Sequence, residues 1–513
     1  MSNRRAGLEA MWKSRHAQPD KSILLLNIQR LVVVILFIAL FAMAVRTPAD
    51  TDMWWHLGAG RAIVTTGRIP YADEFSFTVR GKPWVDVYWL AQVGLYQARL
   101  LGGDALLAVL VAALVIIAFA FVYPQMEGEP FLRAFVIILA ATASSVIWSP
   151  RPQMLSFALL AVTGYIVYLW KWRQVNRLWV LIPLFVLWAN VHGGYALGLM
   201  LIGSVIAGES LNRITGHAAA EVLSWRQIGV LMGVGGLCGL ALLVNPYTFG
   251  TWILPFRTVG IRTLQGFIQE WASPDFHNLY EQPILWLLFA LLAAVGFSGR
   301  RWDWSDLVSV VVFGYSAFLA RRNIAPLALV IAPVLSRQAR PILESLSARI
   351  KLPAPARQEL NPALSGALNW LIVALVVAAA LLKCGAALAP QSLEKARREA
   401  VPVRAVEWLR QASPPVAGPM YNSYNWGGYL VWALPEEPVF VDGRTDVYDE
   451  FLPQYVQVMF VRSGWQDVLD RYGVRLALIE RDSWLATMLA TQPEWRLAYS
   501  DDQAAVWVRE KAK

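Results

Sequence analysis

Charge is what this sequence has least of. Only 16% of its 513 residues are Asp, Glu, Lys or Arg, where a soluble domain carries roughly 25%. The deficit is concentrated in long apolar runs, and 57% of all residues are hydrophobic. That pattern excludes an ordinary soluble enzyme and points to a polytopic membrane chain. Cysteine is nearly absent: Cys238 lies inside one apolar run and Cys384 near the end of another. No disulfide framework is available to the C-terminal region, and both thiols read as packing residues. There is no GxGxxG, P-loop, HExxH or Cys/His cluster, which removes the common nucleotide and zinc chemistries. No internal repeat and no low-complexity tract is visible. The net charge of +9 comes without a compact basic motif, so nucleic acid is not an expected partner.

What is present is a series of about eleven apolar runs, each near the ~20 residues that cross a hydrocarbon core. They are 28–45, 105–123, 131–148, 152–170, 178–189, 195–211, 228–244, 284–297, 307–320, 324–335 and 368–388. About 27 polar and mixed residues precede the first run and no small-residue cleavage site follows it, so 28–45 reads as a retained span. The expected organisation is a cytoplasmic segment 1–27, an all-α transmembrane domain 28–389, and a small extracytoplasmic α/β domain 390–513. Charged residues return in that last part, and short β-rich runs alternate with helical patterns. Strands are expected at 438–441, 476–479 and 504–508, and helices at 403–411 and 465–472.

Orientation follows from Lys and Arg in short loops. With the N-terminus in the cytoplasm of a plasma-membrane protein, the inside segments hold Arg4, Arg5, Lys13, Arg15, Lys21, Lys171, Arg173, Arg177, Arg213, Arg226, Arg300, Arg301, Arg337, Arg340 and Arg349. The Pro-rich stretch 351–362 is then a cytoplasmic linker. The short outside turns hold only Arg151 and the pair Arg321–Arg322. The inside loop 124–130 departs from the trend, with two Glu and no basic residue. Two outside loops are long, 46–103 and 245–283, and loops of that length are usually functional. The stretch 84–101 is amphipathic and suits either the membrane surface or a span.

Four outside segments carry chemistry. In Pro48-Ala49-Asp50-Thr51-Asp52-Met53-Trp54-Trp55-His56-Leu57, Asp52 and His56 are four apart and share a face of a helix. A carboxylate at the membrane boundary suits a general base, and low-dielectric surroundings raise its pKa. The bland alternative is that Asp50 or Asp52 caps a helix. Asp50 and Asp52 also have a spacing able to hold a divalent cation with a diphosphate. Arg321 and Arg322 oppose the positive-inside trend and suit an anionic lipid phosphate, as does Arg151; pairing with protein carboxylates is the alternative. His192, in Asn190-Val191-His192-Gly193-Gly194-Tyr195, is a further candidate against a purely structural role. Glu270-Trp271 offers a carboxylate and an indole face for a sugar, although interfacial Trp is often only an anchor. In the C-terminal domain, Asn425, Asp442 and Arg444 lie in polar and aromatic segments that suit carbohydrate or form turns.

Taken together, these features resemble the C-superfamily of membrane glycosyltransferases (GT-C). Asp52-Met53-Trp54-Trp55-His56 is similar to that superfamily's first-loop motif, an Asp followed four positions later by His, Tyr or Asn. The chain also resembles bacterial members with a TPADTDMWWHL first loop, an NVHGG turn, an EW-SPDF segment, an ARRN turn and an NWGGY…DGR C-terminal domain. The resemblance covers nearly the whole chain. It implies transfer of a sugar from a polyprenyl-phosphate-linked donor to a glycan, lipid or protein acceptor in the cell envelope, with inversion. Asp52 is then the base with Asp50 as substitute, and Arg321 and Arg322 hold the lipid phosphate. Many relatives carry an acidic residue directly after the Asp, where this chain has Met53. Two other readings compete: a lipid-linked glycan flippase, which requires mid-span charges and broken repeats, and a non-enzymatic scaffold for the C-terminal domain.

Overall fold

The computed structural model describes residues 26–216, 221–260, 268–349, 362–412 and 418–510. The basic N-terminal residues and most of the Pro-rich 351–362 stretch lie outside them. Each of the eleven apolar runs falls within or largely within a helix. In chain order these are α1 (Ile28–Ala44), α2 (Met53–Thr66), α3 (Trp89–Val122), α4 (Pro130–Ser144), α5 (Gln153–Arg173), α6 (Leu181–Val191), α7 (Tyr195–Ile214), α8 (Trp225–Ala241) and α9 (Phe249–Gly260). They continue with α10 (Pro283–Ser298), α11 (Trp304–Leu319), α12 (Ile324–Arg349) and α13 (Pro362–Leu388). Among the described residues five helical stretches are long and apolar enough to cross a membrane, and four shorter ones are apolar.

Local chemistry sets several of the helix ends. Asn27 accepts from the Arg30 amide at the start of α1, Ser224 and Gln227 form a capping box for α8, and Asp303 caps α11. The amphipathic stretch after residue 84 becomes helical at Trp89. Gly102 and Gly103 then leave helical geometry, Gly103 with φ of +61°, and kink α3. The part before the kink packs on α2, and the span expected from residue 105 begins just beyond it. α13 is the least covered span, with only 11% of its apolar window buried, and pairs with α1. Most of its surface is left uncovered by the other described residues.

The bundle has two polar ends. At one, Lys171 pairs with Glu209 and with Asp303 (2.7 Å), and Arg337 forks onto Asp306 (2.7 and 3.2 Å). Glu127 accepts from Arg300 (3.1 Å) and Arg340 (3.4 Å). The acidic loop 124–130 thus lies beside arginines of two other segments expected on its own side, which accounts for its lack of basic residues. The other end holds the two long loops and the C-terminal domain.

That domain contains α14 (Pro390–Ala400), α15 (Val403–Gln411), β1 (Met420–Asn422), α16 (Tyr424–Ala433), α17 (Leu452–Met459), α18 (Trp465–Arg471), β2 (Leu476–Glu480), α19 (Trp484–Leu489), β3 (Trp495–Ser500) and β4 (Ala504–Arg509). The sheet order is β1-β2-β4-β3, with β1 and β2 parallel and the other pairs antiparallel. The strands expected at 476–479 and 504–508 are present. The one expected at 438–441 is not a regular strand: Val439 makes single bridges to Met420 on one side and Ser76 on the other. It links the first long loop to the sheet edge, with Phe77 N donating to Val439 O and Val439 N to Phe75 O. Trp55, Ala59 and Trp84 share one apolar core with Tyr421, Phe440 and Tyr448, and Met53, Trp54 and Leu57 share another with Leu430 and Val439. Loop 46–103 and the C-terminal domain are therefore packed as one unit.

Candidate active site

The two first-loop aspartates separate in role at the start of α2. Asp50 Oδ1 accepts from the backbone amides of Asp52 (2.8 Å) and Met53 (3.3 Å), so Asp50 is the residue that caps the chain into the helix. The Asp52 side chain makes no capping bond. It faces a cavity of about 660 Å³ instead, between the helix bundle and the C-terminal domain. Burial pushes its carboxyl up to about 7; Arg151 opposes that shift, while Asp50, Glu270 and Asp442 add to it.

Close backbone packing holds Asp52 in place. α16 carries the Asn425-Trp426-Gly427-Gly428-Tyr429 motif, which is helical rather than a turn. A Cβ on Gly427 would lie 1.9 Å from Val441 O, and one on Gly428 would lie 3.0 Å from Thr51 O. Glycine at both positions lets α16 fit between the Val441–Asp442 backbone and the start of α2. A Cβ on Gly443 would sit 2.1 Å from Asp52 Oδ1. Asp52 thus occupies the space that any side chain at 443 would need.

Arg151 is the centre of charge. Its guanidinium reaches Asp52 Oδ2 at 3.1 Å and Asp50 Oδ2 at 3.5 Å, and it pairs directly with Glu270. Burial works to raise the Glu270 carboxyl, but Arg151 and Arg322 outweigh it and hold the group down at about 2. Arg321 pairs with Glu281 at 3.0 Å, and its amide donates to Ala272 O, tying the Arg321 turn to the Glu270 segment. The Arg322 guanidinium lies 4.7 Å over the Trp271 ring. Among the described residues Arg322 makes no ion pair, and it stands open to the cavity. A smaller, mainly polar cavity of about 140 Å³ adjoins it, with Asp50, Glu270, Arg151, Arg321 and Arg322 among its lining residues.

Two buried histidines line the same space and stay uncharged. Burial lowers both well below the ordinary imidazole value, and nearby arginines add to this. The Gly194 amide donates to His192 Nδ1 at 2.8 Å, so the ring proton is on Nε2; Ser156 Oγ lies 2.7 Å from the same Nδ1. His56 stacks against Trp55 with centroids 3.5 Å apart and meets Gln92, which donates to the buried Asp86 at 2.9 Å. The C-terminal domain supplies the opposite wall: Ser423, Tyr424, Asn425, Thr445, Asp446 and Glu480. Burial raises the Asp446 carboxyl to about 6.

The structure brings Asp50, Asp52, His56, Arg151, His192, Glu270, Trp271, Arg321, Arg322, Asn425 and Arg444 to one cavity. Three expected site residues change role. Arg151, expected on a donor phosphate, is committed to carboxylates. Asp442 is not part of the wall; it is fully buried, with Arg444 and Tyr448 donating to its carboxylate. Arg444 touches the cavity, yet its Nη2 is held by Asp442 (2.7 Å) and Asp73 (2.6 Å). Both read as structural groups rather than sugar ligands. The face of Trp271 offered to a sugar is shared with Arg322. Tyr88, Asp446 and Glu480 also line the cavity, and no spacing in the sequence singles them out. A divalent cation at Asp50 and Asp52 does not fit, because a guanidinium stands between them. Among the described residues no group of three or more His, Cys, Asp or Glu is arranged to hold a metal.

Neither a protein-family model nor a curated protein sequence matches the chain. Solved structures do. The oligosaccharyltransferase of Archaeoglobus fulgidus in its apo form superposes with a TM-score of 0.55 at 13% identity, over 88% of this chain and 69% of that one. ArnT from Cupriavidus metallidurans in the apo state gives 0.50 at 14% identity, over 93% of this chain and 96% of that one. The chain therefore shares its overall fold with these two solved proteins. Identity this low with coverage this high means that the shared frame is kept by helix pattern and order rather than by particular residues. The side chains of this chain must therefore be read from their own geometry.

Proposed function

We propose that the chain is a glycosyltransferase that moves a sugar from a polyprenyl-phosphate-linked donor to an extracytoplasmic acceptor, with inversion. One observation carries this reading: a carboxylate of raised pKa, Asp52, and an arginine with no ion pair among the described residues, Arg322, line the same cavity between the bundle and the C-terminal domain. Arg322, supported by Arg321, stabilises negative charge as the phosphate leaves. Asp52 takes the proton from the acceptor hydroxyl as it attacks the anomeric carbon from the face opposite the phosphate. One base suffices for this one-step displacement, in contrast to the two carboxylates of a hydrolase. The neutral histidines, the tyrosines and the C-terminal wall orient the hydroxyl groups of donor and acceptor.

Two measurements test this. Changing Arg321 and Arg322 together to Ala is expected to weaken binding of a polyprenyl-phosphate sugar by about 10-fold or more, the scale of a lost charge-assisted contact. Lys at both positions should restore only part of it, because an ammonium lacks the planar fork. Unchanged donor affinity in the Ala variant removes these arginines from the site. The second concerns sidedness. Ser463 is exposed on the C-terminal domain, and Ser463→Cys in a chain with Cys238 and Cys384 changed to Ser should react with an impermeant thiol reagent added outside intact cells. Labelling only after the membrane is opened puts the cavity in the cytoplasm and ends the extracytoplasmic reading.

A further inference from the structure

Three carboxylates from separate segments and one guanidinium meet at the floor of the cavity. Asp50 comes from the first long loop, Glu270 from the second, and Asp52 from the start of α2. All three turn a carboxylate oxygen toward Arg151, at 3.5 Å for Asp50 Oδ2, 3.1 Å for Asp52 Oδ2 and in direct contact for Glu270 Oε1. Arg151 comes from yet another segment, the turn before α5, and its side chain is only 15% exposed. Converging oxygen ligands from separate loops are what a hard divalent cation recruits. Here the position between them is filled by a group of the chain itself.

We infer that the Arg151 guanidinium is the resident cation of this site, holding Asp50, Asp52 and Glu270 together so that no divalent metal ion is needed there. Two properties of the guanidinium suit the task. It cannot be deprotonated in a protein, so the site keeps its cation at every working pH, and it spreads five N–H donors over several acceptors at once. It also engages Asp52 through one oxygen, Oδ2. The carboxylate is oriented without being drawn into a metal–oxygen bond that would strip it of basicity. Arg151 is thus a positioning residue for the base. This consequence rests on the transferase reading; the occupancy of the cation position does not.

The test is Mn²⁺ binding to the purified full-length chain in detergent, followed by electron paramagnetic resonance without any sugar donor. Mn²⁺ prefers oxygen ligands and reports its own coordination. The wild-type protein is expected to show no saturable site. Arg151→Ala leaves three carboxylates without their counter-charge, so it should gain a Mn²⁺ site at least about tenfold tighter than any in the wild type. Adding Glu270→Gln to that variant should abolish the site. A folded Arg151→Ala protein that binds no Mn²⁺ overturns the inference. So does a wild-type Mn²⁺ site that Glu270→Gln removes, and this arm decides the matter should Arg151→Ala not fold. Turnover of the wild-type chain should be unchanged by EDTA, and activity lost to EDTA and restored by Mg²⁺ or Mn²⁺ also overturns it. Because Mn²⁺ is titrated without donor, failure here is distinct from failure of the transferase reading.

Discussion

Replacing Asp52 with Asn is expected to slow sugar transfer by about 10²–10⁴, the usual loss when a general base is removed. Expression and donor binding should change little. The amide keeps the shape of the carboxylate, and the capping of α2 rests on Asp50, whose Oδ1 accepts from the Asp52 and Met53 amides. Asp50→Asn retains that acceptor and is the control; it should cost much less. The pH profile is a second readout. The carboxylate is the active form and its pKa lies at about 7, so kcat/KM should rise with pH through that range and level off above it. Besides Arg151, Asp50, Glu270 and Asp442, which act on Asp52, the neutral His56 and Tyr424 face the same space, and neither should add a step near neutrality. Gly443→Ala is the steric counterpart, since its methyl would need the position of Asp52 Oδ1. Full turnover by Asp52→Asn, measured with a polyprenyl-linked sugar, sinks the assignment. If Asp50→Asn is also fully active, the case for a carrier of lipid-linked glycans becomes the stronger one.

Arg444→Ala should have the largest effect on stability, about 3–5 kcal/mol, because it removes the cation from a fully desolvated cluster. The Arg444 Nη2 joins Asp73 of the first loop to Asp442 of the C-terminal domain, Tyr448 donates to the same Asp442 carboxylate at 3.0 Å, and the guanidinium lies 4.7 Å over Trp84. All three charged side chains are essentially out of contact with water. Without Arg444, two carboxylates remain close together with no counter-charge. The expected result is a marked fall in the thermal midpoint of the solubilised protein and early proteolysis of the C-terminal domain. Arg444→Lys should recover little, because one ammonium cannot reproduce the fork onto Asp442 together with the contact to Asp73. A variant that melts with the wild-type protein shows that the two parts are held by their apolar contacts alone.

The sequence by itself determined the membrane class and the helix positions. Apolar runs near the length of a bilayer core have few alternatives to helix, because lipid leaves no other partner for the backbone. For the same reason basic residues stand out in the loops, and Arg151, Arg321 and Arg322 were legible as cations that needed explaining. Helix α15 and strands β2 and β4 were legible from periodicity. β1 was not: three residues long, it is too short to show alternation, and it is a strand only because β2 lies beside it. Residues 438–441 had the composition of a strand, but Val439 lies between β1 and Ser76 with only single bridges. In the site, Asp52 and Asp50 were visible as a pair, whereas their division into cavity carboxylate and helix cap depended on backbone geometry. Arg151 looked like a phosphate ligand until its partners, far away in sequence, were seen to be carboxylates. Arg444 and Asp442 looked like sugar ligands until their burial against Asp73 was known. In each case the tertiary structure decided because a charged side chain takes its role from its counter-charge. That partner comes from another segment, and only long-range packing sets its distance and its isolation from water.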